Sequence, residues 1–308
     1  MSVKTWHWVA VLSILTAGCS GEKPEETRGP SRGPGRPLVY ASNYPLQYFA
    51  ERISAPLVDV RLPVPAGEDP AFWKPTGEDI AALQQADLVV LNGASYESWL
   101  ENVSLPASRL LDTSEGFEEQ LISEEEATTH SHGLEGEHEH SATAFTTWLD
   151  LALALEQARA IKETFSTRWP EHGGQFEAQF GELAQELKAL DAEIEQVVQG
   201  ASSVPVVFSH PVYQYLERRY GLDGRSVHWE PHEMPSEALW QELTALRGSH
   251  PAEWMIWESE PSPEIRAKLG AQGLQSVVFD PSGGAPDGGD FLSVMELNVA
   301  ALKTVFER

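Results

Sequence analysis

Cysteine is almost absent. The chain of 308 residues carries one, Cys19. Intramolecular disulfides are therefore excluded, as are thiolate metal sites in the folded part, so any metal must be held by nitrogen and oxygen donors. Basic residues are scarce too, with 21 Lys and Arg against 47 Asp and Glu. That balance argues against a nucleic-acid partner, because phosphate binding needs Lys/Arg patches. An acidic surface serves solubility and attracts cations weakly. The apolar run at the N-terminus, Trp8–Ala17, is too short to cross a bilayer as a helix.

That run follows Lys4 and ends in Leu15-Thr16-Ala17-Gly18-Cys19. Small residues before a Cys are similar to a bacterial lipoprotein cleavage site. Residues 1–18 thus read as a signal peptide, and Cys19 as the lipidated first residue of a mature protein anchored to the membrane on the periplasmic or outer side. An ordinary signal peptide with an incidental Cys is the rival reading. Residues 19–37, rich in Gly, Pro, Glu and Arg, read as a flexible tether.

From Leu38 onward, short β-branched runs alternate with helical patterns. Strands are expected at Leu38–Ala41, Leu57–Pro63, Asp87–Leu91 and Arg109–Leu111, and again at Val204–Phe208, Ser226–Trp229, Trp254–Trp257 and Ser276–Phe279. Helical segments such as Thr76–Gln85, Ser236–Leu246 and Pro263–Leu269 lie between them. This alternation predicts an α/β fold with two Rossmann-like lobes, each a mainly parallel sheet with flanking helices. The halves also look alike: Ser42 to Arg52 and Ser209 to Arg219 each begin with Ser, carry Gln-Tyr and end in Arg without gaps. Phe176, Phe180, Leu183, Leu187, Leu190, Ile194 and Val197 form a stripe at spacings of four and three. They predict a long backbone helix joining the lobes, with a second amphipathic helix over Leu151–Phe165 ahead of it. The expected division is 38–150 for the first lobe, with a His- and acid-rich loop at 113–143, then 151–200 for the linking helices and 201–308 for the second lobe.

Thr128–His140 gathers His130, His132, His138 and His140 among Glu135, Glu137 and Glu139. Imidazole and carboxylate are ligands for borderline divalent metals, so the tract reads as a metal-seeking loop, or else as a solvated insertion that contains His. In open α/β sheets ligands bind beyond the carboxyl ends of the strands. Those positions hold Ser42-Asn43, Asn92-Gly93 and Asp112 in the first lobe, and Ser209-His210, Glu230, Glu258 and Asp280 in the second. His228-Trp229-Glu230-Pro231-His232 is a further dense cluster. Trp73, Trp99, Trp229 and Trp257 read as cleft lining or as core packing. An enzyme built on Ser209, His210 and Asp280 is disfavoured, because adjacent Ser and His make an unusual nucleophile–base pair and no Gly-x-Ser-x-Gly elbow surrounds Ser209.

Asn92-Gly93 through Glu97-Ser98-Trp99-Leu100, Trp148-Leu149-Asp150, Phe208-Ser209-His210-Pro211 with Arg219-Tyr220-Gly221-Leu222, Pro235-Ser236 and Val278-Phe279-Asp280-Pro281 occur in that order. With Pro70 to Pro75-Thr76, this series resembles the cluster A-I solute-binding lipoproteins of zinc and manganese ABC importers. The resemblance implies two lobes bridged by a rigid long helix and a divalent metal, zinc first and manganese second, held in the cleft. It also implies delivery to an ABC permease by a chain that is no enzyme and acts as a monomer. His210 and Asp280 stand at family ligand positions. Two other ligand positions, which the family fills with His, hold Ala71 and Thr146 here. His130, His132, His138, His140, His228, Glu230 and Glu258 are the candidates to complete the site. The alternative keeps the fold and gives the protein another small solute, or an accessory metal-presenting role.

Overall fold

The computed structural model describes residues 35–123, 143–199 and 203–307, and Gly33–Arg308 form one compact unit. Cys19, the leader and the four histidines of the Thr128–His140 tract lie outside the described residues.

The first lobe is a parallel sheet of β1 (Leu38–Ala41), β2 (Asp59–Arg61), β3 (Leu88–Leu91) and β4 (Leu110–Asp112), in the spatial order β2-β1-β3-β4. The second repeats that order as β6-β5-β7-β8, with β5 at Pro205–Phe208, β6 at Asp223–Ser226, β7 at Trp254–Trp257 and β8 at Gln275–Val278. β1, β3 and β7 are almost wholly apolar and almost wholly buried, as strands covered on both faces must be. The strand order reverses between β1 and β3 and between β5 and β7, which opens a crevice at the carboxyl ends of each pair.

β6 lies over Asp223–Ser226, ahead of the expected Ser226–Trp229. Gly224 decides the register: a Cβ there would stand 2.2 Å from Phe208 Cε2, so only glycine lets this strand lie against β5. Val227 and Trp229 run on beyond the strand beside the end of β5, the Val227 amide donating to Phe208 O at 2.9 Å and the Trp229 amide to Ser209 O at 2.8 Å. The four tryptophans pack in the core. Trp73 meets Trp99 edge to face at 5.9 Å, and Trp229 lies against Trp240 and Trp257, all of them buried.

Helices cover the sheets. α1 (Tyr44–Ser54) is capped by Asn43, whose side chain accepts from Leu46 N at 3.1 Å. α2 (Gly77–Gln85) starts with a capping box between Thr76 and Asp79. Asp150 caps α3 (Leu151–Arg168), which turns through Trp169 into α4 (Gly173–Val197). The 25 residues of α4 span nearly 40 Å at about 1.5 Å each. Its stripe from Phe176 to Val197 is buried as the spacing required. α5 (Gln214–Tyr220), α6 (Glu237–Ser249) and α7 (Pro263–Ala271) flank the second sheet. The last helix, α8 (Phe291–Phe306), crosses back: Phe291 packs against Phe49 of α1 at 5.3 Å, and Lys303 pairs with Glu193 of α4 at 2.7 Å. One apolar core therefore runs from α1 through α3, α4 and α8 into the second sheet, with a smaller core on the outer face of each sheet.

Candidate metal centre

The strand ends of the first lobe are occupied by a polar network. Asn92 Oδ1 accepts from Asn43 Nδ2, Thr147 Oγ1 and Gln157 Nε2, while its Nδ2 donates to Phe145 O at 2.9 Å. The Glu97 carboxylate accepts from the amides of Asn92 at 2.6 Å and Gly93 at 3.2 Å. Burial pushes the Glu97 carboxyl up to about 7 against those hydrogen bonds. Gly93 has φ +74, and a Cβ there would fall 2.0 Å from Asp112 Oδ1, so the turn admits only glycine. These groups bond mainly to one another and build a platform, in which Gln157 Oε1 is buried without a hydrogen-bond partner.

The second lobe differs. His210 follows β5 and Glu258 follows β7, so both stand at the point where the strand order reverses. His210 Nδ1 lies 3.3 Å from Glu258 Oε1, and its Nε2 lies 3.9 Å from Glu230 Oε1. His228 faces His210 edge to face at 5.5 Å. The 3.3 Å contact is too poorly aligned to be a hydrogen bond, and Nδ1 is buried with no hydrogen-bond partner. Asp280 lies two residues beyond β8. Its backbone is clamped by Asn298 of α8, with Asp280 N donating to Asn298 Oδ1 at 2.8 Å and Asn298 Nδ2 donating to Asp280 O at 2.7 Å. The Ser282 amide fixes Asp280 Oδ1 at 2.7 Å. Tyr213 tightens the same turn from beneath, its hydroxyl donating to Phe279 O at 2.7 Å.

One contributor escaped sequence reasoning. Asp69 is exposed in the loop between β2 and α2, near enough for its charge to be felt at the second-lobe strand ends. The Ala71 amide donates to Asp69 Oδ1 at 2.9 Å, and the Asp69 charge acts on His210 and Glu258. Pro70 and Glu68 lie against Gly284, which places this loop beside the Asp280–Ser282 turn. The one available signal was an Asp directly before Pro70, inside the frame recognised for the first ligand loop.

The groups alter one another. Burial pushes the Glu258 carboxyl up to about 7, helped by the charges of Glu230, Asp69 and Asp280. Partial desolvation raises Asp69, which remains exposed, and the half-buried Asp280 as well, offset by their amide hydrogen bonds. Burial lowers His210, against the pull of Glu230, the Trp229 carbonyl and Asp69, so its imidazole is neutral and available as a ligand at neutral pH. Among the described residues, no three His, Cys, Asp or Glu side chains converge closely enough to hold a metal ion as they stand.

At the two positions where the resemblance implies His, the chain does other things. Ala71 supplies only its amide, to Asp69. Thr146 donates its hydroxyl to Val212 O at 2.6 Å, two residues from His210. Thr146 belongs to a strap between the lobes. Trp148 Nε1 donates to Pro281 O at 2.7 Å, Tyr44 N donates to Gly283 O at 2.9 Å, and the Tyr215 hydroxyl joins Ile122 N at 3.2 Å to Ala144 O at 3.0 Å. Ser123 and Thr143 pair as an antiparallel bridge next to Ile122 and Ala144.

The chain has known relatives. It is 25% identical over 312 residues to the zinc-binding lipoprotein AdcA of Streptococcus pneumoniae, covering 96% of this chain and 59% of AdcA. It therefore spans less than two thirds of that relative's length. It is 27% identical over 322 residues to the high-affinity zinc uptake system protein ZnuA of Bacillus subtilis, covering 97% of each. The crystal structure of the metal-dependent lipoprotein YcdH from Bacillus subtilis superposes with a TM-score of 0.76 at 23% identity, over 88% of this chain and 99% of that one. The family model for the zinc-uptake complex component A, periplasmic, matches residues 39–305, and the chain belongs to that family.

Proposed function

We propose that this protein is an extracytoplasmic solute-binding protein that captures a divalent metal ion, zinc first, between its two lobes and delivers it to an ABC permease. His210 and Asp280 are the ligands at its core, with Glu258, Glu230 and His228 around them. The observation that carries the reading is the partly exposed imidazole of His210, whose Nδ1 is buried without a hydrogen-bond partner, set among carboxylates at the strand-reversal point of a family member. Family membership favours a metal over another small solute and transport over catalysis. Among the described residues no helix is long and apolar enough to cross a membrane. Attachment through a lipid on Cys19, action as a monomer and a metal-collecting role for Thr128–His140 complete the proposal. Competition between the whole chain and a zinc chelator near neutral pH tests it. Sub-micromolar zinc binding that is lost in His210→Ala supports capture in the cleft. Binding lost on deletion of Thr128–His140 and unaffected by His210→Ala would move the site to the tract, and no tight binding at all would end the reading.

A further inference from the structure

The cleft has one imidazole from the family ligand set and an excess of carboxylates. Ala71 offers no side-chain donor, and the Thr146 hydroxyl is engaged with Val212 O at 2.6 Å. Asp69, two residues before Ala71, is held by the Ala71 amide at 2.9 Å in a loop that lies against Gly284, next to the Asp280 turn. Glu258 Oε1 stands 3.3 Å from His210 Nδ1, and that nitrogen is buried without a hydrogen-bond partner. Among the described residues no Lys or Arg forms an ion pair with Asp69, Glu258 or Asp280, although arginines neutralise carboxylates elsewhere, as Arg219 does with Asp191 and Glu195. Of these carboxylates Glu258 and Asp280 are half-buried and Asp69 is exposed; gathered without a cationic side chain they repel one another, and the half-buried pair leave their charge uncompensated. A divalent cation among them would relieve both penalties.

The geometry points to a rebuilt cation site spanning the lobes, in which Asp69 from the first lobe and Glu258 from the second join His210 and Asp280 in place of the two missing histidines. This rests on the metal-capture reading above and names its ligand class. Three carboxylates and one imidazole make an oxygen-rich donor set, which suits harder divalent ions of the Mn2+ type better than an imidazole-rich set does. Ligand atoms of a bound ion stand about 2.0–2.2 Å from it. The side chains must therefore draw inward on binding, since no three of them converge to that degree as they stand. The side chains of Glu258 and His210, about a third exposed or less, keep room for that movement.

Separate titrations of the whole chain with Mn2+ and with Zn2+ test the assignment, alongside Asp69→Asn, Glu258→Gln, His210→Ala and Ala71→His. Asp69→Asn and Glu258→Gln are expected to weaken Mn2+ binding by about tenfold or more, a typical loss for groups supporting a metal. Their ion-free melting curves should remain cooperative. Ala71→His, which returns an imidazole to the first lobe, is expected to shift preference toward Zn2+ by about tenfold. If both carboxamide variants bind both ions as the wild type does while His210→Ala loses binding, the rebuilt site is wrong and metal capture stands. If the wild type binds neither ion, or if His210→Ala changes nothing, the capture reading itself falls and this assignment with it.

Discussion

Trp148→Phe is expected to destabilise the protein and loosen its metal site together. The indole is 2% exposed, lies edge to face with Tyr96 at 5.8 Å and donates Nε1–H to Pro281 O at 2.7 Å. Phenylalanine keeps a ring for Tyr96 but removes the donor and part of the volume. The lost hydrogen bond together with the carbonyl left without it costs on the order of 1–3 kcal/mol. The ring volume removed adds about 1 kcal/mol as a cavity, since Gly283 beneath it has no side chain with which to fill the gap. The sum is about 3 kcal/mol, which for a chain of this size lowers Tm by several degrees at about 2–4 °C per kcal/mol. Because Pro281 adjoins Asp280, metal affinity should fall as well, by about tenfold, as for other groups that orient a ligand. Urea denaturation of the metal-free protein gives the first quantity and metal titration the second. A stability loss under about 1 kcal/mol with unchanged metal affinity would refute the view that Trp148 ties the lobes together at the Asp280 turn.

Three further outcomes are expected. Burial holds the Glu217 carboxyl at about 7, above its ordinary 4.5. Its folded form thus favours the proton, and its contribution to stability is present below about 4.5 and lost as pH rises through about 7. Glu217→Gln should flatten the fall in Tm between those values, and an unchanged slope would show that the carboxyl titrates normally. Gly224→Ala forces a Cβ to within 2.2 Å of Phe208 Cε2. It should cost about 1–3 kcal/mol in chemical denaturation, and a neutral result would mean that β6 shifts freely. Tyr215→Phe removes the hydroxyl bridging Ile122 and Ala144. A loss of about 1 kcal/mol should accompany faster proteolysis between those residues, and equal cleavage rates would show that the bridge anchors nothing.

Much of the architecture was legible because the strands are short apolar runs and the long helix is a clean stripe at spacings of three and four. His210, Glu258 and Asp280 could be placed in one cleft because each follows a strand. The expectation for β6 was displaced because Val227 and Trp229 carry the apolar signal, whereas the ladder needs Gly224 against Phe208, a tertiary demand that no run of hydrophobic residues reports. The platform around Asn92 was read only as amides and hydroxyls, since its assembly depends on Gln157 and Thr147 arriving from distant segments. Asp69 was missed for a similar reason. It lies in a loop, and its place near the Asp280 turn follows from Pro70 meeting Gly284 rather than from any local spacing. Thr146 shows the converse: its place in the sequence marked a lost ligand, while its hydroxyl proves to be an inter-lobe strap.

Anomalous X-ray scattering from crystals of the whole chain soaked with zinc tests capture in the cleft most directly. An ion is expected between the lobes within about 2.0–2.2 Å of a His210 ring nitrogen and an Asp280 oxygen. An ordered ion bound elsewhere on the chain, with His210 still unligated, would contradict it.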